Sequence, residues 1–246
     1  MNTLEYTLRF NGDLHIGSGA GIPGILDERV LRDPQGFAYI PATTIKGLLR
    51  QSCVDLLGYR GQQERLMCQG QRRLLEDGVQ QPKMGDYCQP GSTPCLVCLL
   101  FGSPLIEGAL WFSPAEYPQE YREAVQESPS PAVAAERDMA SSAHAAIDRR
   151  TGRAREHQLF NLEVVQPVDH FTGSIHITRP LQSAATAGQA ALDEQAYLGW
   201  LAASLLFIRA AGGRRRKGWG QCRFDLPPAD NAAALQALRK LLGGAK

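Results

Sequence analysis

Apolar residues recur along this chain at two spacings, and the two spacings alternate. Leu4, Tyr6, Leu8 and Phe10 are separated by Glu5, Thr7 and Arg9, the period of two that marks a half-buried strand. After Tyr39-Ile40-Pro41 the period lengthens. Ile45, Leu48, Leu49, Cys53, Leu56 and Leu57 fall on one helical face, with Lys46 and Arg50 on the other side. Thr43 or Thr44 can cap this helix and Gly58 stops it. Gly108 to Phe112 predicts a short strand. Leu159 to Val165 and Phe171 to Ile177 predict two more around Gln166 to Asp169. Asp193 can cap a second helix whose apolar face is Tyr197, Trp200, Leu201, Leu205 and Ile208, and Gly212-Gly213 can end it. Cys222, Phe224 and Leu226 alternate as a last strand, and a short helix from about Asn231 to Leu242 closes the chain.

The regular elements therefore run strand, helix, strand, strand, helix, strand. That order predicts an α+β fold with a ferredoxin-like βαββαβ core, the order RRM-type RNA binders share. The aromatic signature of RRM strands is missing. Three stretches lack a clear period. Gly17 to Gly24 is a glycine-rich loop after a Leu14-His15-Ile16 run that can continue the sheet. Residues 59–107 hold four of the six cysteines and predict an insertion with little regular structure. Residues 126–146 are rich in Ala, Ser and Pro and predict a mobile or hairpin-like segment.

Composition narrows the class only slightly. A chain of 246 residues suits one elaborated domain, and 43% hydrophobic residues can build a core. A net charge of +1 argues neither for nor against nucleic acid, so local clusters must decide. Met1 to Phe10 alternates instead of forming an apolar leader, and no apolar run is long enough for a bilayer. A cytoplasmic protein without a membrane partner is expected, with its cysteines as thiols or metal ligands.

Four clusters carry candidate chemistry. In Gly212-Gly213-Arg214-Arg215-Arg216-Lys217-Gly218-Trp219-Gly220, four cations are flanked by two glycines on each side, with a tryptophan interleaved. Glycine lets the backbone approach a ligand, and arginine grips phosphate with two parallel hydrogen bonds. This favours a phosphate-binding loop over a solvated turn. Arg149, Arg150, Arg153 and Arg155 have no acid between them and suit either RNA contact or a solvated hairpin tip. The helix start at Thr43 to Gly47, reinforced by Lys46 and Arg50, suits a phosphate or ordinary capping. Cys95-x2-Cys98 is half of a common zinc motif, and Cys68 and Cys88 complete four ligands in a segment too poor in apolar residues to fold alone. Cys53 and Cys222 belong to the core. Asp27, by spacing alone, is one exposed acid among 25, and His15 has no evident partner. No Ser-His-Asp set, HExxH or Walker loop is present.

Together these stretches resemble the RAMP superfamily of CRISPR-associated proteins, and most of all the guide-RNA-binding backbone subunit of type III effector complexes. The resemblance rests on Leu14 to Gly19 with Leu26-Asp27 and Val30 to Asp33, on Ile40 to Arg50, on Cys98 to Gly102, on Ile147 to Gly152 with Phe160 to Val165, and on the loop at 212–220. It implies one RAMP domain over 1–246, a zinc-binding insertion at 59–107 and a thumb-like hairpin within 126–158. It further implies guide RNA (crRNA), complementary target RNA and other effector subunits stacked as a filament as partners. RNA contacts would come from Lys46, Arg50, Arg149, Arg150, Arg153, Arg214, Arg215, Arg216, Lys217 and Trp219. Asp27 matches the family's cleavage aspartate, which implies a metal-assisted endoribonuclease acting within the assembled complex, with Mg²⁺ or a similar ion besides structural Zn²⁺. A non-catalytic scaffold and a guide-precursor endonuclease are the alternatives.

Overall fold

The computed structural model describes residues 3–58, 67–73, 81–166, 170–179, 181 and 194–243. Its centre is a four-stranded antiparallel sheet. β1 (Thr3–Phe10) lies between β5 (His170–Ile177) and β6 (Cys222–Asp225), and β2 (Leu110–Phe112) pairs with the outer side of β5, giving the order β2-β5-β1-β6. The alternation in β1 does what its period requires. Leu4, Tyr6, Leu8 and Phe10 are buried, whereas Glu5 and Arg9 are exposed on the opposite face.

Two helices contribute to the core beside this sheet. α1 (Ala42–Gly58) buries Ile45, Leu49, Cys53, Leu56 and Leu57, while Leu48 stays half-buried at the edge. Ala42 opens the helix, so Thr43 and Thr44 lie inside its first turn and Pro41 O accepts from the Thr44 and Ile45 amides. α6 (Glu194–Phe207) buries Tyr197, Trp200, Leu201 and Leu205, with Ala202, Ala203 and Ser204 buried too. It is apolar nearly all round because it packs on α1 on one side and on α7 (Pro228–Gly243) on the other. Gly199 makes the second contact close, since a Cβ there would come 3.0 Å from Ala233 O. The expected cap at Asp193 lies outside the described residues. α6 ends at Phe207, ahead of the expected Gly212-Gly213 stop, and Ala210 then bridges to Gln221.

The second sheet is a hairpin. β3 (Met139–Ile147) pairs antiparallel with β4 (Ala154–Val165), which runs longer than its apolar end predicts because its outer half is polar and solvated. Leu14 does not extend the central sheet. Its amide and carbonyl pair with Val165 at 2.8 Å each, which anchors the base of the hairpin. The glycine-rich loop is also tied down. Gly17 bridges Val30, and Ile22 bridges Leu26. A Cβ on Gly17 would sit 1.8 Å from a Glu28 carboxylate oxygen, so a larger residue here would displace the Glu28 side chain. α4 (Gln119–Gln126) and α5 (Pro131–Ala135) lead into the hairpin. The cysteine-rich stretch holds α2 (Gln69–Arg73), a 3-10 turn at Met84–Asp86 and α3 (Leu96–Phe101), more regular structure than its weak periodicity indicates. Among the described residues no helix is long and apolar enough to cross a membrane.

Candidate nucleic-acid interface and cysteine centre

The basic loop is held by glycines at positions no other residue fits. Gly220 has φ +69°, and a Cβ on it would lie 1.8 Å from Ala211 O. Gly212 has φ +85°, and its Cβ would meet His15 O at 2.6 Å. The Gly213 amide donates to His15 O at 2.8 Å and the Gly220 amide to Asp13 O at 2.7 Å, so both ends of the loop are fastened to the segment before the glycine-rich loop. Between them Arg215–Lys217 form a 3-10 turn, entered through Arg214 at φ 55°.

That turn sorts the four cations. Residues three apart eclipse one another in a 3-10 helix. Arg214 and Lys217 accordingly share one side, 4.7 Å and 5.8 Å from the ring centre of Phe160 on β4. His144 on β3 packs against both Phe160 (5.5 Å) and Trp219 (5.1 Å). Its pKa is lowered, first by partial burial and then by the Lys217 and Arg214 charges, which favours the neutral ring. Arg215 and Arg216 turn the other way, into a groove of about 1050 Å³. The first turns of α1, with Thr43, Thr44 and Gly47, line the same groove, as do His15, Leu48, Asp55 and Phe207. Two positively polarised features, a basic loop and a helix N-terminus, thus face one open channel.

Asp27 stands beside the same hairpin. It is exposed, its amide donates to Asn161 O at 2.9 Å and one carboxylate oxygen accepts from Asn161 N at 2.6 Å. Asn161 is the neighbour of Phe160, so Asp27 and the basic loop are braced on consecutive residues of β4. Behind them lies a buried polar network. Glu163 accepts from Val30 N at 2.9 Å and from Arg32 at 2.5 Å. His15, only 4% exposed, lies 2.7 Å through Nδ1 from Glu163 O and places Nε2 3.2 Å from Glu28. His15 therefore does have a partner, and it is structural in position.

The remaining predicted residues divide. Arg149, Arg150 and Arg153 sit exposed at the hairpin tip, where Asp148 accepts from the Arg150 and Thr151 amides at 2.8 and 3.0 Å. Arg153 lies seven positions before Phe160, so at about 3.3 Å per residue the tip projects roughly 20 Å beyond Phe160. Lys46 is half-buried on α1, next to the groove-lining Gly47. Arg50 points away from that channel and donates to the Gln71 side-chain oxygen.

Gln71 belongs to the second constellation. The Sγ atoms of Cys68, Cys88, Cys95 and Cys98 all lie within 4.8 Å of one another, with Cys68 and Cys98 3.6 Å apart. A tetrahedron with metal–sulfur distances of about 2.3 Å has sulfur–sulfur edges near 3.8 Å, so the four donors fit one ion. Cys95 N donates to Cys88 Sγ at 3.2 Å, Cys98 N to Cys95 Sγ at 3.4 Å, and Gln71 Nε2 to Cys98 Sγ at 3.3 Å. Hydrogen bonds from Cys95 and Cys98 push the Cys68 pKa far down, and the contact with Cys68 raises Cys98 to about 11. Cys53 and Cys222, by contrast, are buried apolar side chains, and burial raises both thiols, Cys222 to about 12.

Sequence reasoning missed Phe160, His144, Asn161 and Gln71. An aromatic at a solvent-facing position of a polar strand was a usable signal for Phe160. Nothing local marks Gln71, which matters only through contacts with residues distant in the chain.

A mixed α+β scaffold with a basic loop over a groove is a class with many members, and comparison places the chain within it. The family model described as the RAMP superfamily matches residues 7–223, and the protein belongs to that superfamily. A chain of the type III-B Cmr-beta complex in its apo state, solved by cryo-electron microscopy, is similar in fold, with a TM-score of 0.59 and 11% identity over 93% of this chain and 98% of that one. A chain of type III-B Cmr-beta bound to cognate target RNA gives a TM-score of 0.56 at 11% identity, over 94% and 98%. No curated protein matches.

Proposed function

We propose that this protein is a guide-RNA-binding backbone subunit of a type III CRISPR ribonucleoprotein effector, and that it cleaves paired target RNA at Asp27. The observation that supports this most is convergence. Arg215, Arg216 and the first turns of α1 line one groove, while Asp27, outside that lining, is held on Asn161 of the hairpin, next to the Phe160 on which the loop's other two cations rest. A sugar–phosphate strand is the ligand such a channel suits, since its charge repeats along its length and its bases can stack on exposed rings. The strand order β2-β5-β1-β6 with two crossover helices is that of a ferredoxin-like core, the scaffold expected for this role. The hairpin β3-β4 is the thumb that projects between guide and target, with Arg149, Arg150 and Arg153 at its tip. Lys46, beside the groove, and Trp219, packed on His144 of the hairpin, add contacts, and neighbouring subunits stack into a filament that carries the RNA from one copy to the next. The cysteine centre is a structural zinc site that replaces the core its segment lacks.

RNA brings its own nucleophile, the 2′-hydroxyl beside each phosphate. Holding that oxygen in line with the leaving 5′-oxygen removes much of the entropic barrier. Asp27, fixed through one oxygen by Asn161 N, presents its other oxygen to solvent and can accept the 2′-hydroxyl proton. A divalent ion would supply charge stabilisation at the phosphate. Among the described residues Asp27 belongs to no group of three or more potential ligands, so RNA oxygens and water would complete such an ion's shell. His15 is buried against Glu28 and Glu163, which disfavours a guide-processing role for it.

The test uses the assembled complex with guide and complementary RNA. With Asp27→Ala, guide binding stays at the wild-type level and cutting opposite this subunit falls at least about 100-fold. Unchanged cutting would leave a non-catalytic scaffold. Charge reversal at Arg215 and Arg216 lowers guide binding, and unaffected binding would overturn the groove assignment itself.

A further inference from the structure

Among the described residues Arg50 is a cation without an ion-pair partner. It is half-buried on α1, its Nε is buried with no acceptor, and among the described residues no carboxylate lies within ion-pair distance. Its hydrogen-bond partner there is Gln71, which is only 2% exposed. Gln71 in turn spends both amide hydrogens on the cysteine segment, one on Cys98 Sγ at 3.3 Å and one on Gly102 O at 3.0 Å. Guanidinium, amide and the Cys98 sulfur therefore form one relay. Taking a charge out of water without a partner is costly, so a half-buried arginine implies a counter-charge nearby. Four thiolates around one Zn²⁺ would carry a net charge of about −2, and they lie at the far end of that relay.

We propose that Arg50, acting through Gln71, is the charge-compensating and orienting partner of the cysteine centre, and that it ties metal binding to the helix whose first turn lines the RNA groove. The proposal rests on reading the cysteines as a zinc site. It removes Arg50 from the set of RNA-contacting residues and gives it a positioning role. Gln71 fixes the direction of the Cys98 lone pair. Arg50 polarises Gln71 and neutralises part of the charge that the thiolates would accumulate. Outer contacts of this kind ordinarily change metal affinity by about 10- to 100-fold.

The experiment compares full-length wild type with Arg50→Met, Arg50→Lys and Gln71→Leu. Zinc affinity is read by competition with a chromophoric chelator, and binding of a single-stranded RNA probe is read in parallel on the zinc-loaded proteins. Arg50→Met and Gln71→Leu are expected to lower zinc affinity about 10- to 100-fold, with Arg50→Lys in between, while RNA affinity changes less than about twofold. Cobalt substituted for zinc should show a shifted thiolate-to-metal absorption band in Gln71→Leu, which a purely mechanical role for the amide would not cause. If Arg50→Met fails to fold, Arg50→Lys and Gln71→Leu carry the comparison. Wild-type protein that takes up no zinc would remove the metal reading and this proposal with it. Zinc uptake with unchanged affinity in Gln71→Leu and the folded Arg50 variants would overturn the proposal alone, as would a loss of RNA binding with zinc affinity intact.

Discussion

Single atoms decide the geometry of the basic loop, and Gly218 and Gly220 show how. Both have positive φ, 86° and 69°, yet their surroundings differ. A Cβ on Gly218 meets nothing within 4 Å, whereas one on Gly220 would overlap Ala211 O at 1.8 Å. Gly218→Ala should therefore cost only the left-handed backbone strain, about 1–2 kcal/mol. Gly220→Ala should cost clearly more, on the order of 3 kcal/mol or above, because Ala211 is backbone and its amide already donates to Gly220 O at 2.9 Å. Denaturant midpoints of the two variants at constant m would check the ranking, and equal losses would mean that the loop moves freely. The sequence showed that these glycines flank cations. It could not show which of them the loop depends on, since that depends on Ala211 and His15 being folded against them.

Elements were legible in proportion to their periodicity. β1, α1 and β5 follow from apolar spacing, because one face of each meets a packed layer, and α6 follows from its dense apolar run, because it packs on two sides. Legibility failed where side chains do not choose the partner. Leu14 looks like sheet continuation, but its backbone pairs with Val165 of the hairpin, a choice made by the chain reversal at Asn11 to Asp13. β4 reaches back to Ala154 through a polar stretch, where cross-strand hydrogen bonds rather than burial hold it. The cysteine segment is the extreme case. Its helices α2 and α3 are five and six residues long, too short to persist alone. If zinc organises them, removing it with a strong chelator should raise amide exchange across residues 67–73 and 95–102 by orders of magnitude while β1 and β5 stay protected. Protection unchanged by chelation would mean that packing of Leu96, Val97 and Leu100 against the core suffices.

At the scale of the whole molecule, charge is distributed and not accumulated. The chain has 26 basic and 25 acidic side chains, so its long-range field is weak. On the proposed reading, affinity for RNA must then come from a few cations placed by the fold. Arg214 and Lys217 rest on Phe160, Arg215 and Arg216 face the groove, and the hairpin tip carries its arginines roughly 20 Å beyond Phe160. Each phosphate neutralised on a single strand contributes about −0.7 to the slope of log affinity against log salt. Replacing the four cations of the loop by Gln should flatten that slope by roughly 2–3 and weaken binding equally for unrelated sequences. Replacing Arg149, Arg150 and Arg153 should flatten it less for a short strand that fills only the groove, and comparably for a guide long enough to reach the thumb. Equilibrium titrations over a salt series, with two RNA lengths and two sequences, separate these cases. A loop variant with an unchanged slope would place the phosphates elsewhere. A length effect confined to the tip variants would show that one continuous track joins groove and hairpin, which a chain of net charge +1 needs if it is to hold RNA without attracting every polyanion around it.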